Sequence, residues 1–280
     1  MNGKVKIKPG GGKMFREDYH LHTNASSDSD ASPESMIERS IQLGLKEIAL
    51  TDHVDFDDRY TYPDYNEYIP KFIELQEKYS KDIKIMLGVE VGLDNRVKDE
   101  VNEFTKSAPF DFIIGSSHSV AKYDLYFDQK EYFSLFKNKR EAYSFYFTEL
   151  IENIKTCKTF CVYGHMDFVN RYGTYEDNSL SYFDYSDLVD TALKLLIEKG
   201  KGIEINTSGF RYGLGQTHPS FDFVKRYKEL GGEIITIGSD AHRPEDVGKN
   251  FDVAYDMLER VGFKYVTAFR YQKPVFKKFN

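Results

Sequence analysis

The sequence predicts an α/β fold, a distorted TIM-like barrel of seven β–α units. Three observations carry this. Short apolar runs alternate seven times with amphipathic stretches, the pattern of a parallel sheet with crossover helices. No compositional break or linker divides residues 16–280, which are read as a single domain. Polar side chains stand at the C-terminal end of every run; a closed barrel gathers such ends at one mouth, whereas an open sheet spreads them along an edge. Seven units is one short of the usual eight, hence the expected distortion.

Residues 1–15, rich in Lys, Gly and Pro and without periodicity, read as a flexible tail, with Met14 a candidate natural start. The first strand, about 16–21, ends in His20-Leu21-His22. Side chains at i and i+2 of a strand share a face, so the two imidazoles make half a divalent-metal site. Ser32-Pro33-Glu34 is an N-cap with Pro at the first helical position, and Gly44 stops that helix. The second strand, 47–50, leads to Thr51-Asp52-His53. A Tyr- and Asp-rich loop, 54–66, precedes a helix over 67–79. The third strand, 83–89, delivers Glu90; after a helix at 96–106 the fourth, 110–115, delivers Ser117-His118. Residues 119–156 are strongly aromatic, helical over most of 129–155, and their rings are assigned to the core. The fifth strand, 159–163, delivers His165 and Asp167, and the loop after it carries Arg171. A helix at 184–199 leads to the sixth, 202–205, which opens into Asn206-Thr207-Ser208-Gly209-Phe210-Arg211. After a helix at 219–230 the seventh, 233–237, delivers Asp240 and His242; a helix at 250–261, a short strand at 265–269 and a basic tail complete the chain.

Composition narrows the function. The formal net charge of -7 disfavours nonspecific attraction to nucleic acid or an anionic membrane, so neither is an expected partner; a local cationic pocket can still take an anion. No apolar run reaches the ~18 residues of a membrane span. Cys157 and Cys161 are read as buried thiols rather than a disulfide or metal pair, and with no apolar signal segment the chain is expected in the cytoplasm.

Six of the seven histidines fall at strand ends. With the acids beside them they give nine candidate metal ligands: His20, His22, Asp28, His53, Glu90, His118, His165, Asp240 and His242. One zinc-like ion takes three or four protein ligands, so this set suits two to three divalent ions, more so if Glu90 bridges. Mixed imidazole and carboxylate donors suit Zn, Mn or Fe rather than Ca.

Taken in order, His20-Leu21-His22, Thr51-Asp52-His53, Gly88-Val89-Glu90, Ser117-His118, Gly164-His165 and Ser239-Asp240-Ala241-His242 resemble the motifs of the polymerase and histidinol phosphatase (PHP) family over residues 18–248. Within it, the length, the insert after His118, Gly164-His165-Met166-Asp167 and the Asn206–Arg211 segment resemble the monofunctional histidinol-phosphate phosphatases. The resemblance implies a seven-stranded barrel with three metals. The first would be held by His20, His22, Glu90 and Asp240, and the second by Glu90, His118 and His165. The third would take His53, His242 and Asp28, where many members carry His; Asp30 is an alternative there. The implied substrate is L-histidinol phosphate, cleaved to histidinol and phosphate in histidine biosynthesis.

A phosphate monoester dianion resists attack. Metals neutralise it and lower the pKa of bound water from about 15.7 to about 7. The expected mechanism is in-line attack on phosphorus by a hydroxide bridging two metals. Glu90, Asp240 and His242 are the catalytic candidates: Glu90 as bridge, and Asp240, His242 or a metal-bound water as proton source for the leaving alkoxide. Arg171 and Arg211 follow strands five and six and are candidates to grip the phosphoryl oxygens beside the third metal, with Arg243 a lesser third. Asp57, Asp58 and Tyr60 are candidates to hold the cation of an amino-alcohol. The competing enzyme reading is another PHP phosphoesterase, acting on a nucleotide or phosphotyrosine. A deacylase of the carbamylated-lysine type lacks a Lys at any strand end, and a metal-storage module would not need so complete a ligand set. Oligomeric state is not legible in the sequence.

Overall fold

The computed structural model describes residues 17–279; the expected tail at 1–15 lies outside them. Seven parallel strands follow one another around the sheet in chain order: Glu17–Leu21, Glu47–Leu50, Lys84–Gly92, Phe112–Ser116, Val162–Tyr163, Gly202–Asn206 and Ile235–Gly238. Nearly every strand residue is buried, as expected where helices cover one face and the barrel interior the other. A two-residue strand, His53–Val54, continues strand two's path and pairs with Glu90–Val91, which sets His53 directly beside Glu90.

The distortion is a seam. Strand seven meets strand one through a single bridge, Leu21 to Ala241, in which the His22 amide donates to the Ala241 carbonyl at 2.9 Å. Below it the Asp18 carboxylate accepts from the Ser239 amide at 3.0 Å and the Ser239 hydroxyl at 2.6 Å. Strand one also shifts register between Asp18 and Leu21. His20 and His22 stand at the mouth on this strand, beside the seam. Gly238 permits the close approach there: a Cβ on it would stand 2.3 Å from Glu204 Oε1 and 2.4 Å from His20 Cβ.

Helices return each strand to the next as the caps foretell. Ser32 accepts from the Ser35 amide ahead of Pro33–Gln42, and Asn138 caps Lys139–Thr156 through the Glu141 amide. The aromatic insert is two helices, Gln129–Ser134 and Lys139–Thr156, and Tyr132, Phe133, Tyr143, Tyr146 and Phe147 are core. Tyr126 and Phe127, by contrast, stay exposed at the mouth. Cys157 and Cys161 are free and buried. Among the described residues no helix is long and apolar enough to cross a membrane.

One element differs from the expectation. The stretch read as a basic tail is a strand: Lys273–Lys278 pairs antiparallel with Tyr265–Arg270 around Tyr271-Gln272. This hairpin lies against the N-terminal ends of the barrel strands. The Phe269 amide donates to the Tyr19 hydroxyl at 3.0 Å and the Ile235 amide to the Thr267 hydroxyl at 3.1 Å. Arg270 and Lys277 converge on the buried Glu47 carboxylate, and Lys277 also reaches Glu17 at 3.1 Å. Chemistry is thereby left to the opposite end.

Candidate metal centre

All nine candidate ligands meet at that opposite end, around Glu90. The Glu90 side chain is fully buried, and its two oxygens face different partners. Oε1 stands 2.8 Å from His165 Nε2 and 3.3 Å from His118 Nε2, and accepts from Ser116 Oγ at 2.6 Å. Oε2 stands 2.9 Å from His20 Nε2, 3.4 Å from His22 Nε2 and 3.2 Å from His53 Nδ1. Asp240 Oδ1 adds to the second group at 3.5 Å from His22 Nε2 and 3.8 Å from His20 Nε2. Asp28 Oδ2 lies 3.1 Å from His242 Nε2 and 3.6 Å from His53 Nε2 at the rim, where its side chain is half exposed. Asp30 is exposed and takes no place in this cluster.

These spacings suit a cation better than a hydrogen-bonded network. Two donors each ~2.1 Å from a tetrahedral ion stand ~3.4 Å apart, and many of the contacts above fall near that separation. Nε2 of His22 and of His242 and Nδ1 of His53 are buried yet make no hydrogen bond; polar atoms in that state are costly unless something else takes their lone pairs. Among the described residues four groups of donors lie within 4.8 Å of one another: His20, His22 and Glu90; Glu90, His118 and His165; His22, His53 and His242; and His53, Asp55 and His118. The residues therefore fit bound divalent metal, with Glu90 common to the first two groups.

Electrostatics agree. Burial alone would raise the Glu90 carboxyl, but the imidazoles of His20, His118 and His53 hold it well below its usual range. Asp240 is held low in the same way by His20 and His22 against burial. Burial pushes His22 well below its ordinary value, and neighbouring His242 and His53 push it further, so it presents a neutral ring. Asp240 also sits at φ 54°, a left-handed conformation that costs a non-glycine residue ~1–2 kcal/mol. Arg211 clamps this turn, donating to the carbonyls of Ser239 at 3.0 Å and Asp240 at 2.5 Å.

The cluster floors a cavity of about 590 Å³ whose wall includes Arg171, Arg211 and Arg243. Arg171 is buried between the rings of Phe168 and Tyr212, with its Nη2 at 3.5 Å from Asp240 Oδ2. Tyr60 lines the cavity and donates to Asp124 at 2.8 Å. Asp57 instead pairs with Arg59, and neither Asp57 nor Asp58 lines the cavity.

Sequence reasoning passed over the residues that hold the ligands. Glu204 accepts from His20 Nδ1 at 2.6 Å, and Asp55 from His118 Nδ1 at 2.8 Å, each turning the ring's other nitrogen toward Glu90. Asp55 also forms a donor group with His53 and His118. Asp52 accepts from the Thr23 amide at 2.6 Å and Ser26 Oγ at 2.8 Å, fixing the loop that carries Asp28. Two signals were available. Asp55 repeats at His53 the i, i+2 spacing of His20 and His22, and Glu204 is a lone acid inside the apolar run Gly202–Asn206.

Comparison with known proteins places this geometry. Residues 18–208 match the family model described as PHP domain. The histidinol-phosphatase of Lactococcus lactis is 34% identical over 260 residues, spanning 91% of this chain and 95% of that protein. A probable histidinol-phosphatase of Clostridium acetobutylicum is 33% identical over 255 residues, spanning 89% and 95%. The crystal structure of the Lactococcus lactis histidinol phosphate phosphatase, complexed with zinc, L-histidinol and phosphate, superposes with a TM-score of 0.85 at 32% identity, covering 93% of this chain and 98% of that one. Sharing both the motifs and the barrel that brings them together, this chain belongs to the PHP domain family.

Proposed function

We propose that this protein is a metal-dependent phosphatase that hydrolyses L-histidinol phosphate to L-histidinol and phosphate, a step of histidine biosynthesis. The observation that carries the chemistry is the division of Glu90, one oxygen toward His118 and His165 and the other toward His20 and His22. The substrate assignment rests on relatives that match over nearly their whole length and carry the name histidinol-phosphatase or probable histidinol-phosphatase, one of them crystallised with L-histidinol and phosphate.

Two or three divalent ions, of the Zn, Mn or Fe type, would be held by His20, His22, Glu90 and Asp240, by Glu90, His118 and His165, and by Asp28, His53 and His242. Bound there, they supply charge neutralisation for the phosphate dianion and an acidified water as nucleophile. The protein's own side chains do the rest. Glu90 keeps the first two ligand groups at a fixed separation. Arg171 and Arg211 present guanidinium groups to the phosphoryl oxygens from the cavity wall, and Arg can meet phosphate with two parallel hydrogen bonds. Asp240 and His242, whose Oδ1 and Nδ1 are 3.6 Å apart, are our candidates to handle the proton of the leaving alkoxide, with His242 as the donor because Asp240 is held in its charged form. Asp124 and Tyr60 give the outer wall an acidic edge suited to an ammonium group. We take the barrel as one working domain, since one buried apolar cluster runs from Tyr19 to Phe269. The two free buried thiols agree with the reducing cytoplasm expected from composition.

Phosphate release from histidinol phosphate, a nucleoside monophosphate and a phosphotyrosine peptide, each with and without chelator, tests this reading. Histidinol phosphate should be turned over well ahead of the others, and chelator should abolish it. Equal turnover of all three would defeat the substrate assignment.

A further inference from the structure

Asp167 and His218 hold none of the roles assigned so far, yet both are fully buried close to the site. They are 51 residues apart in sequence, and His218 Nδ1 stands 2.6 Å from Asp167 Oδ1. The opposite ring nitrogen, Nε2, is 3.4 Å from Nε of Arg171. The directions of these bonds are fixed by chemistry. A carboxylate only accepts and a guanidinium only donates, so the imidazole between them carries its proton on Nδ1 and offers its lone pair at Nε2. The rest of the Arg171 head is equally constrained. Phe168 and Tyr212 lie 4.7 Å and 4.0 Å from the guanidinium carbon, and Nη2 donates to Ser208 Oγ at 2.7 Å. The Nε–Nη2 edge is thus held by protein, while the side chain lines the cavity.

We propose that Asp167 and His218 form a positioning relay: Asp167 sets the His218 tautomer, and His218 fixes the plane and reach of Arg171 so that its remaining N–H groups meet a phosphoryl oxygen. This rests on the reading of Arg171 as a phosphate contact. His218 touches neither the candidate ligands nor the reacting atoms; it acts through Arg171. A surface Arg searches many rotamers, whereas this one is preset, so the order it needs on binding is already present before substrate arrives.

The test uses the full-length metal-loaded enzyme and four variants: Arg171→Ala, His218→Asn, His218→Gln and the Arg171→Ala/His218→Asn double. Asn places its amide where Nδ1 lies and can keep Asp167 but not Arg171; Gln places its amide where Nε2 lies and can keep Arg171 but not Asp167. KM for histidinol phosphate, Ki for inorganic phosphate, metal content and melting temperature are read for each. His218→Asn should raise KM and phosphate Ki about tenfold, the worth of one hydrogen bond to a charged group, with metal content unchanged. His218→Gln should recover most of that affinity even where its melting temperature falls. The double variant should stay within about twofold of Arg171→Ala alone, since the relay has nothing left to position. Gln no better than Asn, or a double variant worse by the full His218→Asn factor, overturns the relay and leaves the pair a structural one. An Arg171→Ala enzyme with unchanged KM and Ki refutes the phosphate reading of Arg171 itself, and the relay with it. If His218→Asn does not fold, His218→Leu, which offers Arg171 Nε no acceptor, takes its place in every comparison. A Leu variant about tenfold weaker than His218→Gln in phosphate affinity supports the relay, and one equal to it overturns the relay.

Discussion

Replacing Glu90 by Gln keeps the shape of the side chain and removes its charge. In the native site that charge is shared: Oε1 serves His118 and His165, and Oε2 serves His20, His22 and His53, all within 3.4 Å. A neutral amide can offer one oxygen to one side only, and it turns an NH₂ toward the other. Altering a group that merely hydrogen-bonds a metal ligand costs ~10–100-fold in metal affinity. Removing a shared ligand should therefore cost at least ~100-fold at each of two sites, or ~2.7 kcal/mol apiece. Fold stability should fall as well, for a separate reason. The Glu90 carboxylate is fully buried and held in its charged form by the imidazoles around it, so a neutral isostere removes one partner of a buried charge cluster. The metal-stripped variant should thus melt below the metal-stripped wild type while still folding. Metal per chain after dialysis against a chelator of known affinity, phosphate release, and melting of both stripped proteins separate these effects. A Glu90→Gln protein that keeps wild-type metal content and rate would refute the bridging role. One that loses metal only because it melts would refute the argument about where the cost lies.

Further expectations concern the surrounding shell and the far end of the barrel. Glu204→Gln should lower metal affinity by ~10–100-fold in chelator competition, because it weakens the 2.6 Å hold on His20 Nδ1 while leaving every ligand in place. Arg211→Ala should raise KM and lower kcat by about tenfold in combination with metal retained; loss of metal instead would reassign Arg211 to holding the left-handed turn at Asp240. Arg270→Ala leaves Glu47 buried with Lys277 as its remaining cation, and should cost ~2 kcal/mol of stability by denaturant unfolding with kcat unchanged. Burial pushes the Cys157 and Cys161 thiols up to about 11 and about 12. Both should therefore ignore a thiol reagent at pH 8 in the folded protein and react at once in denaturant.

What could be read from the chain and what could not divide along a physical line. Strand ends carry a local signature, an apolar run closed by His, Asp or Glu, so His20, His22, His53, Glu90, His118, His165, Asp240 and His242 were visible one at a time. Their meeting followed from a parallel barrel having one mouth. The groups behind them lack such a signature. Glu204 hides among strand residues that are otherwise apolar, and His218 lies in a loop where nothing nearby announces Asp167 or Arg171. The C-terminal hairpin failed for another reason. Its turn, Tyr271-Gln272, holds φ values of 49° and 61° without the Asn-Gly or Asp-Gly that normally marks such a turn. Its outer strand, Lys273–Lys278, is largely exposed on both faces and so shows no alternation to read. The seam between strands one and seven was legible only as a missing eighth unit, because its closure joins Asp18 and Ser239, residues at opposite ends of the chain with no local signature.

Anomalous diffraction from crystals of the active, metal-replete enzyme tests the central claim most directly. The account predicts at least two metal peaks at the barrel mouth, on opposite sides of the Glu90 carboxylate, one beside His20 and His22 and the other beside His118 and His165. A fully active enzyme with no peak there, or with metal bound away from Glu90, would contradict it.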